Sequence, residues 1–399
     1  MKKHAKTVAA VACAGVLAVS MLGGCGSSDQ KSGDSGNQQT QATATDDQAA
    51  ADNCAKLIDA IYVQERTDTT DADCEAAKAA WDALTDTQKA MVEGEEADPD
   101  YFGRDTGDAS KDDPLNADNI GDKEILVCSF GTSFNDSRAE TIGASEKAIQ
   151  EAYPDWSVRR AFTAQIIINH IQARDGEKID NVDQAMERAK ANGVKEMIVL
   201  PTHLMNGAEY DELKEQVEAA KGDIKVTFAD AMLGTYGKTD TSVNKEKKIV
   251  AKAITAAACK DANYADAAAA AKDGTAFVFM GHGTGHKAAI TYSQMQAQMK
   301  DLGYKNVFIG TVEGEPESTE VEAVCKAVKK AGYENVILRP LMVVAGDHAN
   351  NDMAGDDDDS WMSIFKASGN FKSVTAQIQG LGALPEVQQI YIDHIKDVM

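Results

Sequence analysis

Two stretches of this 399-residue chain repeat each other, and the repeat limits the fold more than any other feature of the sequence. Residues 193–209 and 332–348 both open with glycine, continue as an apolar run, and carry proline at the ninth position and glycine at the fifteenth. Residues 125–133 and 277–285 align in the same way. A repeat of this kind predicts two homologous halves that face each other across a cleft.

Strand-like apolar runs alternate with helical patterns from residue 123 to the end of the chain, and short glycine turns join them. This alternation predicts an α/β fold with two doubly wound parallel sheets. We expect an N-terminal lobe at residues 123–272 and a C-terminal lobe at residues 273–399.

The first 24 residues have the composition of an export signal. Three lysines precede an apolar stretch, and the sequence Leu-Gly-Gly-Cys ends at Cys25. This pattern is a lipobox, so residues 1–24 are predicted to be a lipoprotein signal peptide and Cys25 the lipidated residue. The apolar stretch is short for an uncleaved membrane anchor. We therefore expect the protein to be extracytoplasmic and attached to the cell membrane through its lipid.

Three segments are predicted between the lipid and the α/β body. Residues 25–51 are polar and suggest a flexible tether, residues 52–94 show the spacing of a small helical hairpin, and residues 95–122 have the composition of an acidic linker. Together they carry 24 acidic against 7 basic residues, in a chain with a net charge of −24. Such an acidic protein is not expected to bind nucleic acid.

The chain has seven cysteines, one of them in the signal and one at the predicted lipid site. Exported proteins fold in oxidising surroundings, and Cys54 and Cys74 lie close in sequence outside the α/β body. We expect a disulfide between them. Cys128, Cys259 and Cys325 lie in apolar patterns typical of buried positions, and no CxxC spacing indicates a zinc site.

Two histidines follow apolar strands and lie inside glycine turns. His282 follows one strand and His348 follows another, which is where open α/β sheets place their chemistry. In the repeat, His282 aligns with Phe130 and His348 aligns with Glu209. Two imidazoles at strand ends indicate a metal or proton-transfer site.

Further motifs lie at the other predicted strand ends, and in order along the chain they include SFGTS (129–133), NGAEY (206–210), FMGHG (279–283) and PLMVVAGDHANNDMA (340–354). Over residues 124–399 the sequence resembles the class II chelatases, in particular the anaerobic-type sirohydrochlorin cobaltochelatases of cobalamin synthesis. The resemblance implies ATP-independent insertion of a divalent metal into a tetrapyrrole bound between two lobes.

The resemblance also implies roles for individual residues. His282, Glu313 and His348 would bind the metal, and His282 would also accept a pyrrole proton. Glu209, on the other lobe, would assist proton removal or ring distortion. Co²⁺ is the ion that the family suggests, although imidazole suits Fe²⁺ and Ni²⁺ equally. No cofactor is expected beyond the divalent metal substrate.

Several other residues have two interpretations. Ser129, Thr132 and Ser133 precede a helix and either bind substrate carboxylates or serve only as caps. His203 either lines the tetrapyrrole pocket or is a half-buried histidine with a purely structural role. His286 is predicted at the rim of the pocket. The acidic run 356–359 is better explained as a solvated helix start than as a metal site.

Export leaves a second function open, because sirohydrochlorin is made and consumed inside the cell. The alternative is an extracytoplasmic lipoprotein that binds haem, another tetrapyrrole or a metal during metal acquisition. Its partner would be a transporter. The expected partners of the chelatase itself are a tetrapyrrole substrate, a divalent metal ion and, through the lipid, the membrane.

Overall fold

The computed structural model describes residues 35–399, with side chains from residue 46 onward. The predicted signal peptide and Cys25 lie outside the described residues. Within the described range, no helix has both the length and the apolarity needed to cross a membrane.

The described residues contain two parallel sheets of four strands each. The strands are β1 (Lys123–Ser129), β2 (Ser157–Phe162), β3 (Glu196–Pro201), β4 (Lys225–Phe228), β5 (Thr275–Gly281), β6 (Val307–Thr311), β7 (Asn335–Pro340) and β8 (Ser373–Ala376). The strand orders are β2-β1-β3-β4 and β6-β5-β7-β8, which is one topology used twice. The predicted α/β class with two doubly wound lobes is confirmed.

The sequence repeat is visible in the strand register. Ile125 lies opposite Ile198 in the first sheet, and Phe277 lies opposite Ile337 in the second. The two sequence alignments pair Ile125 with Phe277 and Ile198 with Ile337, so residues that are aligned in sequence occupy equivalent places in the two sheets. Strands β1 and β5 are buried along almost their whole length, because helices cover both faces of each sheet. Parallel strands all end at one edge of a sheet, so the turns that follow them are brought together.

Fifteen α-helices lie in the described range. They are α1 (Ser35–Ile61), α2 (Thr70–Asp82), α3 (Asp86–Lys89), α4 (Asp100–Gly103), α5 (Asn135–Arg138), α6 (Ala144–Ala152), α7 (Gln165–Asp175), α8 (Val182–Asn192), α9 (Ala208–Ala220), α10 (Lys245–Asp261), α11 (Ala267–Lys272), α12 (Ile290–Asp301), α13 (Val321–Lys330), α14 (Trp361–Ala367) and α15 (Pro385–Lys396). Two five-residue π-helices, Ala139–Gly143 and Ala349–Met353, extend this set.

One helix from each lobe's stretch of sequence packs against the other lobe. The predicted boundary between residues 272 and 273 therefore does not separate two self-contained lobes. Helix α15 packs against the N-terminal lobe, where the Tyr391 hydroxyl donates to the Thr202 carbonyl at 2.7 Å. Helix α10 packs against the C-terminal lobe, where Arg339 forms an ion pair with Asp261 at 2.6 Å. One buried apolar cluster therefore contains residues of both lobes and holds them together.

The N-terminal segment, which we define as residues 48–122, continues a helix that begins before it. Helix α1 begins at Ser35, so residues 35–51 are helical where a flexible tether was predicted. The alanine- and glutamine-rich sequence there favours helix. The predicted linker is also fixed in place, because the buried Asp112 carboxylate pairs with Arg138 at 2.7 Å and Arg160 at 2.6 Å.

The predicted disulfide between Cys54 and Cys74 is not formed, and both residues are buried free thiols. The Cys74 thiol donates to the Asn169 carbonyl of α7 at 3.6 Å, so its sulfur is directed at the N-terminal lobe. Burial raises the pKa of Cys74 to about 11. The segment is held by packing on α7 rather than by a cross-link within itself.

Candidate active site

The first candidate ligand, His282, lies in the turn after β5. Its Nδ1 donates to the Gly283 carbonyl at 2.9 Å. Gly283 has a φ of +97°, and a Cβ atom there would lie 2.8 Å from the Cβ of Glu313. Glycine is needed at this position because it allows both the left-handed backbone and the close approach of the neighbouring turn.

Glu313 lies in the turn after β6 and is fixed to the His282 turn through the backbone. The Glu313 amide donates to the His282 carbonyl at 2.8 Å. The Glu313 carboxylate Oε1 lies 3.9 Å from His282 Nε2. Neighbouring strands thus present an imidazole and a carboxylate side by side.

His348 follows β7 and immediately precedes the second π-helix. Its ring centroid lies 4.8 Å from that of His282, at an interplanar angle of 70°. Its Nδ1 donates to Asp352 Oδ2 at 2.8 Å. This hydrogen bond raises the pKa of His348 above its usual value, although burial opposes the shift. The structure thus brings His282, Glu313 and His348 together, as the sequence predicted.

The hydrogen bonds at Nδ1 determine which nitrogen each imidazole offers. The Gly283 carbonyl can only accept, and so can an ionised Asp352, so each Nδ1 carries the proton in the neutral ring. The lone pair then lies on Nε2. Two neutral imidazoles with free Nε2 atoms beside a carboxylate are a donor set for a divalent transition metal.

Two carboxylates beside His348 were missed by the sequence analysis. Asp347, His348 and Asp352 offer ligand atoms that all lie within 4.8 Å of one another. Asp352 orients the imidazole, since a carboxylate hydrogen-bonded to a metal-binding histidine is a common arrangement. The four-residue spacing from His348 to Asp352 was the available signal, because it places both side chains on one face of a helix.

The N-terminal lobe contributes Glu209, at the start of α9. Its Oε2 lies 3.5 Å from Nε2 of His203, and the carboxylate is exposed. Burial raises the pKa of Tyr292 to about 12, and the Glu209 charge adds to the rise. The Tyr292 hydroxyl accepts from the Gly283 amide at 3.0 Å. Asp211, two residues after Glu209 in α9, lies 3.7 Å from Nε2 of His286, so the start of α9 lies beside the loop that carries His282.

His203 is buried, and neither of its ring nitrogens has a hydrogen-bond partner among the described residues. Burial lowers the pKa of His203, and the charge of Glu209 opposes that shift. An imidazole with unsatisfied nitrogens is unlike an ordinary structural histidine. The pocket-wall prediction for His203 stays open.

Ser129, Thr132 and Ser133 are only 1, 3 and 7% exposed, and whether they bind substrate carboxylates stays a prediction. The Ser129 hydroxyl accepts from Thr202 Oγ1 at 2.7 Å. The Thr132 hydroxyl accepts from the Phe134 amide at 3.2 Å, and a Cβ atom at Gly346 would lie 2.7 Å from it. Thr132 thus packs the first turn against the His348 turn of the other lobe.

The remaining predicted residues lie at the edge of the site. His286 Nδ1 accepts from the Ala288 amide at 3.2 Å, and Nε2 lies 3.7 Å from Asp211 of the other lobe. The acidic run 356–359 is exposed, and Ser360 rather than an aspartate caps α14 by accepting from the Ser363 amide.

Comparison with known families agrees with this arrangement. The sequence model of the family described as "Cobalt chelatase (CbiK)" matches residues 123–399, which is the whole α/β body. The chain belongs to this family. It is similar to a sirohydrochlorin cobaltochelatase from Salmonella typhimurium, 31% identical over 278 residues that cover 69% of this chain and 96% of the relative.

A second relative is the sirohydrochlorin cobaltochelatase CbiKC from Nitratidesulfovibrio vulgaris, 30% identical over 273 residues, or 68% of this chain and 89% of the relative. Among solved structures, SirB from Bacillus subtilis with Fe3+ matches at a TM-score of 0.46 and 12% identity, over 69% of this chain and 95% of that one. Family membership makes this protein a chelatase. The family match begins where β1 begins, so the N-terminal segment lies outside it.

Proposed function

We propose that this chelatase inserts Co²⁺ into sirohydrochlorin or a closely related tetrapyrrole without using ATP. The observation that carries the proposal is the grouping of His282, Glu313 and His348 at the ends of three neighbouring strands. Support for the ion and the macrocycle comes from the two relatives, which are both sirohydrochlorin cobaltochelatases.

The metal ion is a substrate, so it must be bound firmly enough to lose water and weakly enough to leave. Two ligand atoms that are each about 2.1 Å from one ion are separated by at most about 4.2 Å. The 3.9 Å between His282 Nε2 and Glu313 Oε1 therefore lies within the reach of a single ion. All three side chains are about half exposed, which leaves the ion accessible to the ring.

Insertion replaces two pyrrole protons with one divalent ion, so two protons must find acceptors. His282 Nε2 can accept one when the ion passes from the imidazole to the ring. Glu209 and His203 lie together on the opposite lobe and can accept the other. Because burial lowers the pKa of His203, its ring stays neutral and keeps a lone pair available.

We further propose that the enzyme works outside the cytoplasm, attached through a lipid at Cys25. The support is the lipobox in the sequence. The macrocycle must then be supplied on that side of the membrane. A lipoprotein that carries a tetrapyrrole or metal to a transporter is the alternative, and it would bind its cargo without inserting a metal.

An anaerobic insertion assay on residues 26–399 tests the proposal. Sirohydrochlorin and protoporphyrin would each be mixed with Co²⁺, Fe²⁺ or Ni²⁺ in the absence of ATP, and the visible spectrum would report the metallated product. We expect the fastest turnover with Co²⁺ and sirohydrochlorin. Stoichiometric binding of a tetrapyrrole with no metallated product for any pair would contradict the proposal and favour the carrier.

A further inference from the structure

The N-terminal segment lies outside the matched family region but is packed firmly onto it. Asn169 of α7 donates to the Ile61 carbonyl at 2.8 Å, and the Gln165 backbone amide donates to Gln64 Oε1 at 3.0 Å. The Tyr101 ring stacks on His170 with centroids 4.1 Å apart. A spacer that only held the enzyme off the membrane would not need these contacts.

Arg104 connects this segment to both lobes. Its guanidinium lies over the Phe134 ring of the N-terminal lobe at 5.9 Å, and Nη1 donates to Asn351 Oδ1 of the C-terminal lobe at 2.7 Å. Its other edge is fixed by Asp100, which accepts from Nη2 at 2.6 Å. The guanidinium is therefore held from within its own segment while it contacts the two lobes.

Asn351 passes this contact to the metal-binding turn. Its Nδ2 donates to Asp347 Oδ1 at 2.7 Å, and Asp347 directly precedes His348. Asn351 also belongs to the same π-helix as Asp352, which holds His348 Nδ1. Through the side-chain amide of Asn351, Arg104 is thus linked to Asp347, which precedes His348, and to the π-helix that follows His348.

A second, independent contact reaches the same turn. Asp112 of the N-terminal segment pairs with Arg138, and Arg138 Nη1 donates to the Thr132 carbonyl at 3.2 Å. Thr132 packs against Gly346, two residues before His348.

We propose that the N-terminal segment is a working part of the chelatase, and that Arg104 is a positioning residue which fixes the His348 turn through Asn351. The inference rests on the proposed function for its effect on insertion, but its effect on metal binding can be measured separately. Residues that orient a metal ligand typically change metal affinity by about 10- to 100-fold when they are removed.

The test is Arg104→Ala in the otherwise complete chain. We expect the dissociation constant for Co²⁺ alone, measured by calorimetry under anaerobic conditions, to rise about tenfold. The rate constant for insertion should fall, while the KM for the tetrapyrrole changes little. Arg104→Lys should restore only part of the affinity, because lysine keeps the charge but lacks the planar fork.

Lys78→Ala is the matched control. Lys78 lies in the same segment and also pairs with an aspartate four residues away, Asp82, and among the described residues neither side chain forms a hydrogen bond or ion pair with a lobe. Its removal should leave Co²⁺ affinity unchanged. Equal Co²⁺ affinity in the Arg104→Ala variant and the parent would overturn the inference, as would equal losses in the Lys78→Ala and Arg104→Ala variants.

A double-mutant cycle separates positioning from a general loss of stability. If Arg104 acts through Asn351, the double variant with Asn351→Ala should bind Co²⁺ no more weakly than Asn351→Ala alone. Fully additive losses would contradict the route through Asn351. A parent protein that binds Co²⁺ with the predicted dependence on Arg104 but inserts no metal would refute the proposed function and leave this inference standing.

Discussion

The two lobes have the same strand order, but they use the ends of equivalent strands differently. After β5 the C-terminal lobe carries His282, whose side chain is 51% exposed. At the aligned position after β1 the N-terminal lobe carries Phe130, which is 41% exposed and apolar. After β7 the chain carries His348, and at the aligned position after β3 it carries Glu209.

This difference indicates that the two halves of a duplicated scaffold can supply different groups to one reaction. The strands and their register are set by apolar runs that both lobes share, so the carboxyl ends meet in the same way. The residues after the strands have little core packing and can differ without cost to the fold. In the proposed mechanism the C-terminal lobe offers metal ligands, while the N-terminal lobe offers an apolar ring and a proton acceptor.

The largest expected effect follows from removing His282. His282→Ala removes a metal ligand and a base together, so we expect insertion to fall by about 10³-fold or more. The fold should be unchanged, because the side chain is half exposed and lies in a turn. Insertion rate and thermal melting would be measured together. Parent-like insertion by this variant would refute the assignment of roles to the two lobes.

A smaller effect is expected across the cleft. Glu209→Gln keeps the shape of the side chain but removes the proton acceptor, so the rate constant for insertion should fall by about 10²-fold. The affinity for Co²⁺ alone should stay close to that of the parent, because Glu209 is not assigned as a ligand. An equal loss of Co²⁺ affinity would make Glu209 a ligand and would remove the proposed division between the lobes.

Phe130 provides a third test, since a tetrapyrrole is a flat aromatic ring. Phe130→Ala should raise the KM for the macrocycle by about tenfold through the loss of aromatic contact. Co²⁺ affinity should not change. Steady-state kinetics at saturating Co²⁺ measure the first quantity and calorimetry the second. An unchanged KM would show that this exposed ring has no part in binding substrate.

The smallest effect on catalysis is expected inside the N-terminal sheet. Burial raises the pKa of Glu124 from 4.5 to about 7, against the opposing charge of Arg159. Because the folded state favours the protonated carboxyl, its stabilising contribution is complete below pH 4.5 and is lost as the pH rises to about 7. Glu124→Gln should flatten the stability profile in that window and leave insertion unchanged. A steep profile in the variant would assign the pH dependence to another group.

The fold could be predicted from the sequence because the signals were repeated and local. The alignment of residues 193–209 with 332–348 fixed equivalent strands, and the structure pairs Ile198 and Ile337 with equivalent partners. The exchange of α10 and α15 between the lobes could not be predicted. It depends on contacts between residues far apart in sequence, such as Tyr391 and Thr202, for which no local pattern exists.

The candidate ligands could be predicted because each follows a strand and belongs to a family motif. The role of the hydroxyls in the SFGTS motif stays a prediction, since the pattern of a turn before a helix does not show that these side chains are buried. The role of Arg104 had no signal in the sequence. Its partner Asn351 lies 247 residues away, and the composition around Arg104 indicated only a linker.

The spectrum of bound Co²⁺ tests the central claim that the C-terminal lobe binds the metal through His282, Glu313 and His348. X-ray absorption on residues 26–399 loaded with Co²⁺ alone counts the imidazole ligands. We predict two in the parent, one in His282→Ala, one in His348→Ala, and two in His286→Ala. Two imidazoles retained in both His282→Ala and His348→Ala would contradict the claim and place the ion elsewhere.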